Sequence, residues 1–145
     1  AMISYRSNQS FNLKFGRSRV QNNDHYFDPK NLFQIEKYLK YQGDKLARRF
    51  DANTYLYITK AMDLHDIGTG RGKTEDVLNN IKAKSLNIGI SSDVLYPAGE
   101  QIRIASNIPN SEYRQIESIY GHDAFLMEFE KMRNIIENFL QNVNF

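Results

Sequence analysis

The chain has 145 residues, of which 41% are hydrophobic and 25% are charged, and it contains no cysteine. This composition excludes collagen-like, disordered and disulfide-scaffold proteins, and the lack of cysteine also excludes thiol nucleophiles and cysteine-ligated zinc. Nineteen basic and seventeen acidic residues give a formal charge of +2. Because the two signs alternate along the chain, the charge does not favour a nucleic-acid-binding protein.

The first part of the chain has a mainly helical pattern. Residues 8–28 are rich in Asn, Ser and Arg, and we expect a long connection there, held against the protein by Phe11, Phe15, Tyr26 and Phe27. Asp28 followed by Pro29 is typical of a helix N-terminus, and the apolar spacing behind this pair predicts about five helical turns. A second helix is expected to begin near Asn53. The glycines that follow it at positions 68, 70 and 72 predict its end.

The remainder of the chain alternates between helix and strand. A short helix is expected over residues 74–81, capped by Thr74, and residues 85–90 form a mostly apolar run that predicts a buried strand. Pro97 should open the next helix, and residues 112–119 are the second strand candidate. An apolar stripe from Phe125 to Leu140 predicts a C-terminal helix. Strand, helix, strand and helix in this order indicate a βαβα unit with two parallel strands.

Two residues with catalytic chemistry follow the two predicted strands. Asp93 comes after the first strand and His122 after the second. Because parallel strands end at the same edge of a sheet, these side chains should reach hydrogen-bonding distance. In a nucleophilic triad, the carboxylate orients the imidazole while its other nitrogen removes a proton. The alternative is that Asp93 caps a helix and His122 is an ordinary loop histidine.

The nucleophile that such a pair would serve is not found. A serine elbow has the form G-x-S-x-G, and no glycine of the chain begins one. The nearest segment, GISSD at 89–93, lacks the closing glycine and lies on the acid-bearing strand. In hydrolases the chain order is serine, acid, histidine, so we expect the serine upstream of Asp93, before residue 1.

Three other patterns are better explained by structure than by chemistry. GTGRGKT at 68–74 has only three residues between Gly68 and Gly72, whereas a phosphate-binding loop needs four and follows a strand. His65 and Asp66 have no third ligand at metal spacing, so we expect no metal site. Four of the nine tyrosines, Tyr38, Tyr41, Tyr55 and Tyr57, fall within amphipathic helices, where packing or a dimer interface explains them better than base stacking.

Five segments carry a family resemblance. They are SYRS at 4–7, FGR at 15–17, YLKYQGDKLARRFDANTYLYITKAMDLHDIGTGRGK at 38–73, SSDVLYP at 91–97 and YGHDAFLMEFE at 120–130. Together they resemble the C-terminal part of the homoserine O-acetyltransferases of the α/β-hydrolase superfamily. The resemblance implies a partial α/β-hydrolase fold of the α/β class. Residues 1–80 would form a helical cap and its return, and residues 81–145 the last two parallel strands and helices of the core.

The same resemblance implies roles for individual residues. Asp93 would be the triad acid and His122 the triad base, Asp123 would meet the amino group of the substrate, and Tyr5 would line the tunnel to the site. The arginine that receives the substrate carboxylate would stand seven residues before Tyr5, beyond the N-terminus. The implied reaction is acetyl transfer from acetyl-CoA, as co-substrate, to homoserine in methionine biosynthesis, with no bound cofactor.

Because the serine is missing, we expect the chain to be inactive alone. A different hypothesis is a non-catalytic helical oligomerisation module from a truncated or split gene. Two strands without neighbours leave an apolar edge, so we expect a homo-oligomer through the cap helices or that edge, including a domain-swapped form. A third hypothesis is an N-terminal half supplied in trans. No apolar run approaches the ~20 residues that span a bilayer, and we expect a cytoplasmic protein with neither membrane nor nucleic-acid partner.

Overall fold

The structure, a computed structural model, describes residues 2–21 and 27–143. The chain forms two compact units. The first, here called the sheet unit, has described residues 3–10 and 66–143, and the second, the helical unit, has described residues 2, 11–21 and 27–65. The division into residues 1–80 and 81–145 that the family resemblance implies stays a prediction.

In the described part of the first half of the chain there are three helices: α1 at Asn8–Lys14, α2 at Gln34–Arg49 and α3 at Ala52–Asp63. The expected long connection over residues 8–28 is therefore wrong at its beginning, where α1 lies. One aromatic residue expected to hold that connection, Tyr26, lies outside the described residues. Another, Phe15, stacks on Phe11 with ring centroids 5.9 Å apart.

Helix α2 begins later than the sequence predicted. Its N-cap is Phe33, whose main-chain N–H donates to Glu36 Oε2 at 2.7 Å. Asp28 instead accepts from the N–H of Lys30 at 2.8 Å, which closes a local turn. An aspartate can satisfy either a turn or a helix end with the same oxygen, so the Asp-Pro pair alone did not distinguish them.

The sheet unit contains the remaining elements. They are α4 at Thr74–Asn79, β1 at Ser85–Ile90, α5 at Ala98–Asn107, β2 at Ser111–Ile116, a 3-10 turn at Gly121–Asp123, α6 at Ala124–Met127 and α7 at Phe129–Gln141. Strand β1 has the predicted bounds, whereas β2 ends three residues before the predicted end. The cap of α4 is Lys73 rather than Thr74. The single predicted C-terminal helix is divided at Glu128 into α6 and α7.

The two strands pair in parallel, as predicted, from Ser85 opposite Ser111 to Ile90 opposite Ile116. The last residue of each strand is buried, and both form one apolar cluster with Ala124, which is fully buried at the start of α6. This apolar cluster lies at the carboxyl ends of the strands. It therefore supports the two loops that follow them.

The partial α/β fold is thus present as a two-stranded parallel sheet with helices. None of the helices in residues 2–21 and 27–143 combines the length and apolarity that crossing a membrane requires.

Candidate active site

The loop after β1 holds the Asp93 side chain by main-chain groups. Oδ1 of Asp93 accepts hydrogen bonds from the N–H groups of Leu95 at 2.8 Å and Tyr96 at 2.9 Å. The side chain is only 4% exposed. Asp93 does not cap α5, because Pro97 occupies the N-cap position of that helix. Both main-chain bonds go to Oδ1 and leave Oδ2 for another donor.

Oδ2 of Asp93 lies 2.9 Å from Nδ1 of His122. His122 stands in the 3-10 turn that follows β2, so parallel pairing of the strands brings the two side chains to one edge of the sheet. A carboxylate oxygen can only accept, which assigns the proton to Nδ1 and leaves Nε2 as the acceptor in the neutral ring. No hydrogen bond from the described residues reaches Nε2.

Three aromatic rings surround the imidazole of His122. The ring centroids of Tyr96, Phe125 and Tyr5 lie at 5.1, 5.4 and 5.7 Å from that of His122. These contacts limit the rotation of the ring, and its side chain remains 26% exposed. The ring is therefore held in place while one part of it stays open to a ligand.

An open groove of about 290 Å³ lies against the Asp93 and His122 pair. Its wall is mostly apolar and includes Ile88 and Met132, and Gln101 adds a neutral polar group. A small apolar groove with a few converging polar groups is typical of a binding site.

The segment Tyr5–Ser7, here called the strap, contacts the turn that carries His122. The carbonyl oxygen of Tyr5 accepts from the N–H of Asp123 at 2.9 Å. The hydroxyl of Ser7 donates to the carbonyl oxygen of Ile119 and accepts from the N–H of Ser10 at 3.1 Å. The strap thus fixes the turn by main-chain and side-chain bonds together.

Gly121 permits the close approach of the strap. Its φ is +67°, and a Cβ there would lie 2.6 Å from the nitrogen of Ser7. The N–H of Gly121 donates to the hydroxyl of Ser92 at 2.9 Å. Any side chain at this position would both strain the backbone and displace the strap.

Asp123 forms an ion pair with a residue that the sequence reasoning missed. Its Oδ2 lies 3.3 Å from Nε of Arg6, and the two side chains are 25% and 18% exposed. The guanidinium also donates from Nη1 to the hydroxyl of Ser10 at 3.4 Å. Arg6 directly follows Tyr5 in the sequence, but a partner so far along the chain leaves no local pattern.

The segment around Asp66 has the geometry of a turn. Its carboxylate accepts from the N–H of Gly68 at 2.8 Å and from the hydroxyl of Thr69 at 3.1 Å. The preceding element is α3, a helix, whereas a phosphate-binding loop follows a strand. In residues 2–21 and 27–143, no group of three His, Asp or Glu side chains is placed to hold a metal ion.

No family model matches the sequence. Curated relatives do match it: a homoserine O-acetyltransferase of Carboxydothermus hydrogenoformans is 47% identical over 98% of this chain, and one of Moorella thermoacetica is 46% identical over 98%. The chain matches a C-terminal portion of homoserine O-acetyltransferases. The resemblance seen in the sequence is thereby confirmed, for a C-terminal portion of these enzymes. The chain spans about 39% of the length of the curated relatives it matches.

Solved structures agree on the fold. A homoserine O-acetyltransferase from Bacillus anthracis superimposes with a TM-score of 0.81 at 24% identity, covering 99% of this chain and 39% of the other. One from Staphylococcus aureus gives a TM-score of 0.68 at 25% identity with the same coverage. The structure places Asp93, His122, Asp123 and Tyr5 around one turn, and their individual roles remain predictions.

Proposed function

We propose that this chain carries the acid–base pair of an acetyl transfer from acetyl-CoA to the hydroxyl of homoserine, a step of methionine biosynthesis. The names of the relatives suggest the substrates. The observation that carries the proposal is the 2.9 Å hydrogen bond between the nearly buried Asp93 carboxylate and Nδ1 of His122. We place the reaction in the cytoplasm, in agreement with the lack of cysteine.

The first half of the proposed reaction acylates a serine. Nε2 of His122 takes the serine hydroxyl proton while the serine oxygen attacks the thioester carbonyl of acetyl-CoA. The C–S bond then breaks, and the protonated Nε2 returns its proton to the leaving thiolate. Asp93 stays ionised and stabilises the imidazolium through Nδ1.

The second half transfers the acetyl group. Nε2 takes the proton of the homoserine hydroxyl, whose oxygen attacks the acyl-serine, and the serine oxygen leaves with that proton. The carboxylate of Asp123 is proposed to attract the ammonium group of homoserine, and Tyr5 to line the approach. Both lie on or against the same turn as His122.

The serine itself is proposed to come from outside these 145 residues. The sequence contains no G-x-S-x-G segment, and no serine hydroxyl of the described residues contacts Nε2 of His122. We therefore expect no acetyl transfer by the chain alone. Homoserine-dependent release of CoA by the purified chain, with its mass verified, would contradict this.

Reconstitution tests the function directly. The chain is mixed with a separately produced N-terminal portion of the Carboxydothermus relative, the part that this chain does not cover, and CoA release is measured. We expect release only from the mixture. Asp93→Asn should lower it about 10³–10⁴-fold, because an amide misorients the imidazole. Asp51→Asn, the same chemical change at a helix cap, is the matched control and should leave the rate unchanged.

A second measurement does not depend on reconstitution. The Nδ1 proton of His122 in the unmodified chain should give a downfield NMR resonance, because a carboxylate accepts it. Asp93→Asn should remove this resonance, and Asp51→Asn should keep it. A resonance that survives Asp93→Asn would show that the pair does not form in solution.

A second candidate function, self-association without catalysis, is favoured by exposed apolar surface. Helix α3 exposes Leu56, Tyr57 and Met62 by 65%, 80% and 63%, and each strand of the two-stranded sheet has one edge with no described partner. We propose a homo-oligomer through the helices or the sheet edge. Light scattering at micromolar concentration tests it, and a monomer would contradict it. Co-purification with a serine-elbow polypeptide would instead favour a half supplied in trans.

A further inference from the structure

Two carboxylates stand beside His122, and each has a different partner. Asp93 binds the imidazole through Nδ1, whereas Asp123, the next residue of the turn, pairs with Arg6 of the strap. We propose that Arg6 is a positioning residue of the site: it compensates the charge of Asp123, so that the imidazole faces a single uncompensated carboxylate, Asp93. This inference rests on the function proposed above for the pair.

The burial of the ion pair makes the compensation necessary. With side-chain exposures of 18% for Arg6 and 25% for Asp123, both groups have lost most of their contact with water. A carboxylate in that position without a cation is costly, and its field is poorly screened. The field of Asp123 would then act on the ring of His122, the residue that precedes it in the turn.

A second bare carboxylate would impair a general base. It would hold the imidazole in its protonated form, and a ring protonated at both nitrogens cannot accept a proton at Nε2. The other groups that face the ring are the phenols of Tyr5 and Tyr96, the apolar ring of Phe125 and, across the groove, the neutral Gln101. Arg6 is therefore the cation that the described structure supplies to this turn.

The strap determines where the guanidinium lies. Tyr5 and Ser7, on either side of Arg6, are both hydrogen-bonded to the residues around the turn, and Ser10 accepts from Nη1 of Arg6. These bonds leave Oδ1 of Asp123 without a hydrogen bond from the described residues. That oxygen remains for the ammonium group that the proposed function assigns to Asp123.

Titration of the His122 ring by NMR in the full 145-residue chain tests the proposal. The chain has three histidines, and the spectrum of His122→Asn identifies the resonance. Arg6→Gln should raise the midpoint of the His122 titration by about one pH unit, a tenfold change in the proton equilibrium. Asp123→Asn should lower it by a similar amount. Arg6→Lys should restore the midpoint of the unmodified chain.

The opposite signs separate compensation from simple support of the turn. If the pair only held the turn in place, breaking it from either side would loosen the hydrogen bond to Asp93 and move the midpoint in the same direction. Arg133→Gln is the matched control, since it breaks an exposed ion pair with Glu137 and should cause no shift. No shift, or a downward shift, with a folded Arg6→Gln would overturn the proposal.

Asp123→Asn and Arg6→Lys keep the test decisive if Arg6→Gln does not fold. An unchanged midpoint in Asp123→Asn overturns the proposal on its own. The proposed function fails by a different result, namely a downfield Nδ1 resonance that persists in Asp93→Asn.

Discussion

The two units of the chain differ in what they bury. The sheet unit buries five apolar residues in its described part, and two of them, Ile116 and Ala124, have exposures of 1% and 0%. Among the described residues of the helical unit, only Asn31 is buried, and every residue of α3 is exposed. The candidate catalytic residues thus belong to the unit that has an apolar core of its own.

Local bonds carry more of the stability in the helical unit. Asp51 caps α3 by accepting from the N–H of Thr54 at 2.7 Å, and this hydrogen bond lowers the pKa of the Asp51 carboxyl. Helices of 12 to 16 residues are marginal in water unless an apolar face is covered. The difference between the units teaches that precise geometry at the site needs tertiary packing. The stability of α2 and α3 depends instead on their helix caps and on the surface that covers their apolar faces.

The largest expected effect comes from emptying the core of the sheet unit. Ile116→Ala should cost about 3–4 kcal/mol of unfolding free energy, because it leaves a cavity between the strand ends and α6. Ile58→Ala on α3, where the side chain is 47% exposed, should cost under about 1 kcal/mol. Amide hydrogen exchange of β1 and β2 measures the first effect and exchange of α3 the second. Equal losses of unfolding free energy in the two variants would contradict this difference between the units.

A smaller effect is expected at the glycine beneath the strap. Gly121→Ala should cost about 2–3 kcal/mol, since the new Cβ meets the backbone of Ser7 at a φ that disfavours side chains. Gly99→Ala is the matched control, because a Cβ at Gly99 in α5 has open space around it and should stabilise the helix by up to about 1 kcal/mol. Urea denaturation followed by circular dichroism compares the two. A tolerated Gly121→Ala would mean that the strap does not press on the turn.

The smallest expected effect is a loss of stability at acidic pH. The hydrogen bond from Arg103 lowers the pKa of Glu75, and those from Gln115 and Lys131 lower the pKa values of Glu117 and Glu128. A lowered pKa in the folded state stabilises the protein above the ordinary value near 4.5, and this contribution is lost as pH falls.

All three glutamates belong to the sheet unit, so we expect that unit to lose stability between about pH 5 and pH 3. Glu75→Gln should flatten the pH dependence of the urea midpoint slightly, and Glu137→Gln serves as the control. A steeper pH dependence of the urea midpoint in Glu75→Gln would contradict the stabilising effect assigned to the ionised Glu75 carboxylate.

The sequence was most informative where chemistry and periodicity coincide. The apolar run at 85–90 predicted β1 with its bounds, and the alternation of strand and helix predicted the parallel pairing. From that pairing alone, Asp93 and His122 were expected within hydrogen-bonding reach of each other. Their roles in catalysis stay predictions.

The rest depended on contacts that no local pattern records. Helix α1 is short and polar, and the sequence predicted a connection in its place. Asp28 closes a turn where the sequence predicted a helix cap. No sequence pattern pairs Arg6 with Asp123, because the two side chains meet only where the folded strap contacts the turn.

The way in which Asp93 is held has a consequence for redesign of the groove. Its Oδ1 is bound by peptide N–H groups, which every residue except proline provides. Substitutions at Tyr96, which lines the groove, can therefore reshape the wall beside the imidazole while the acid keeps both of its main-chain donors. The size of the groove can be varied at this position at little risk to the carboxylate.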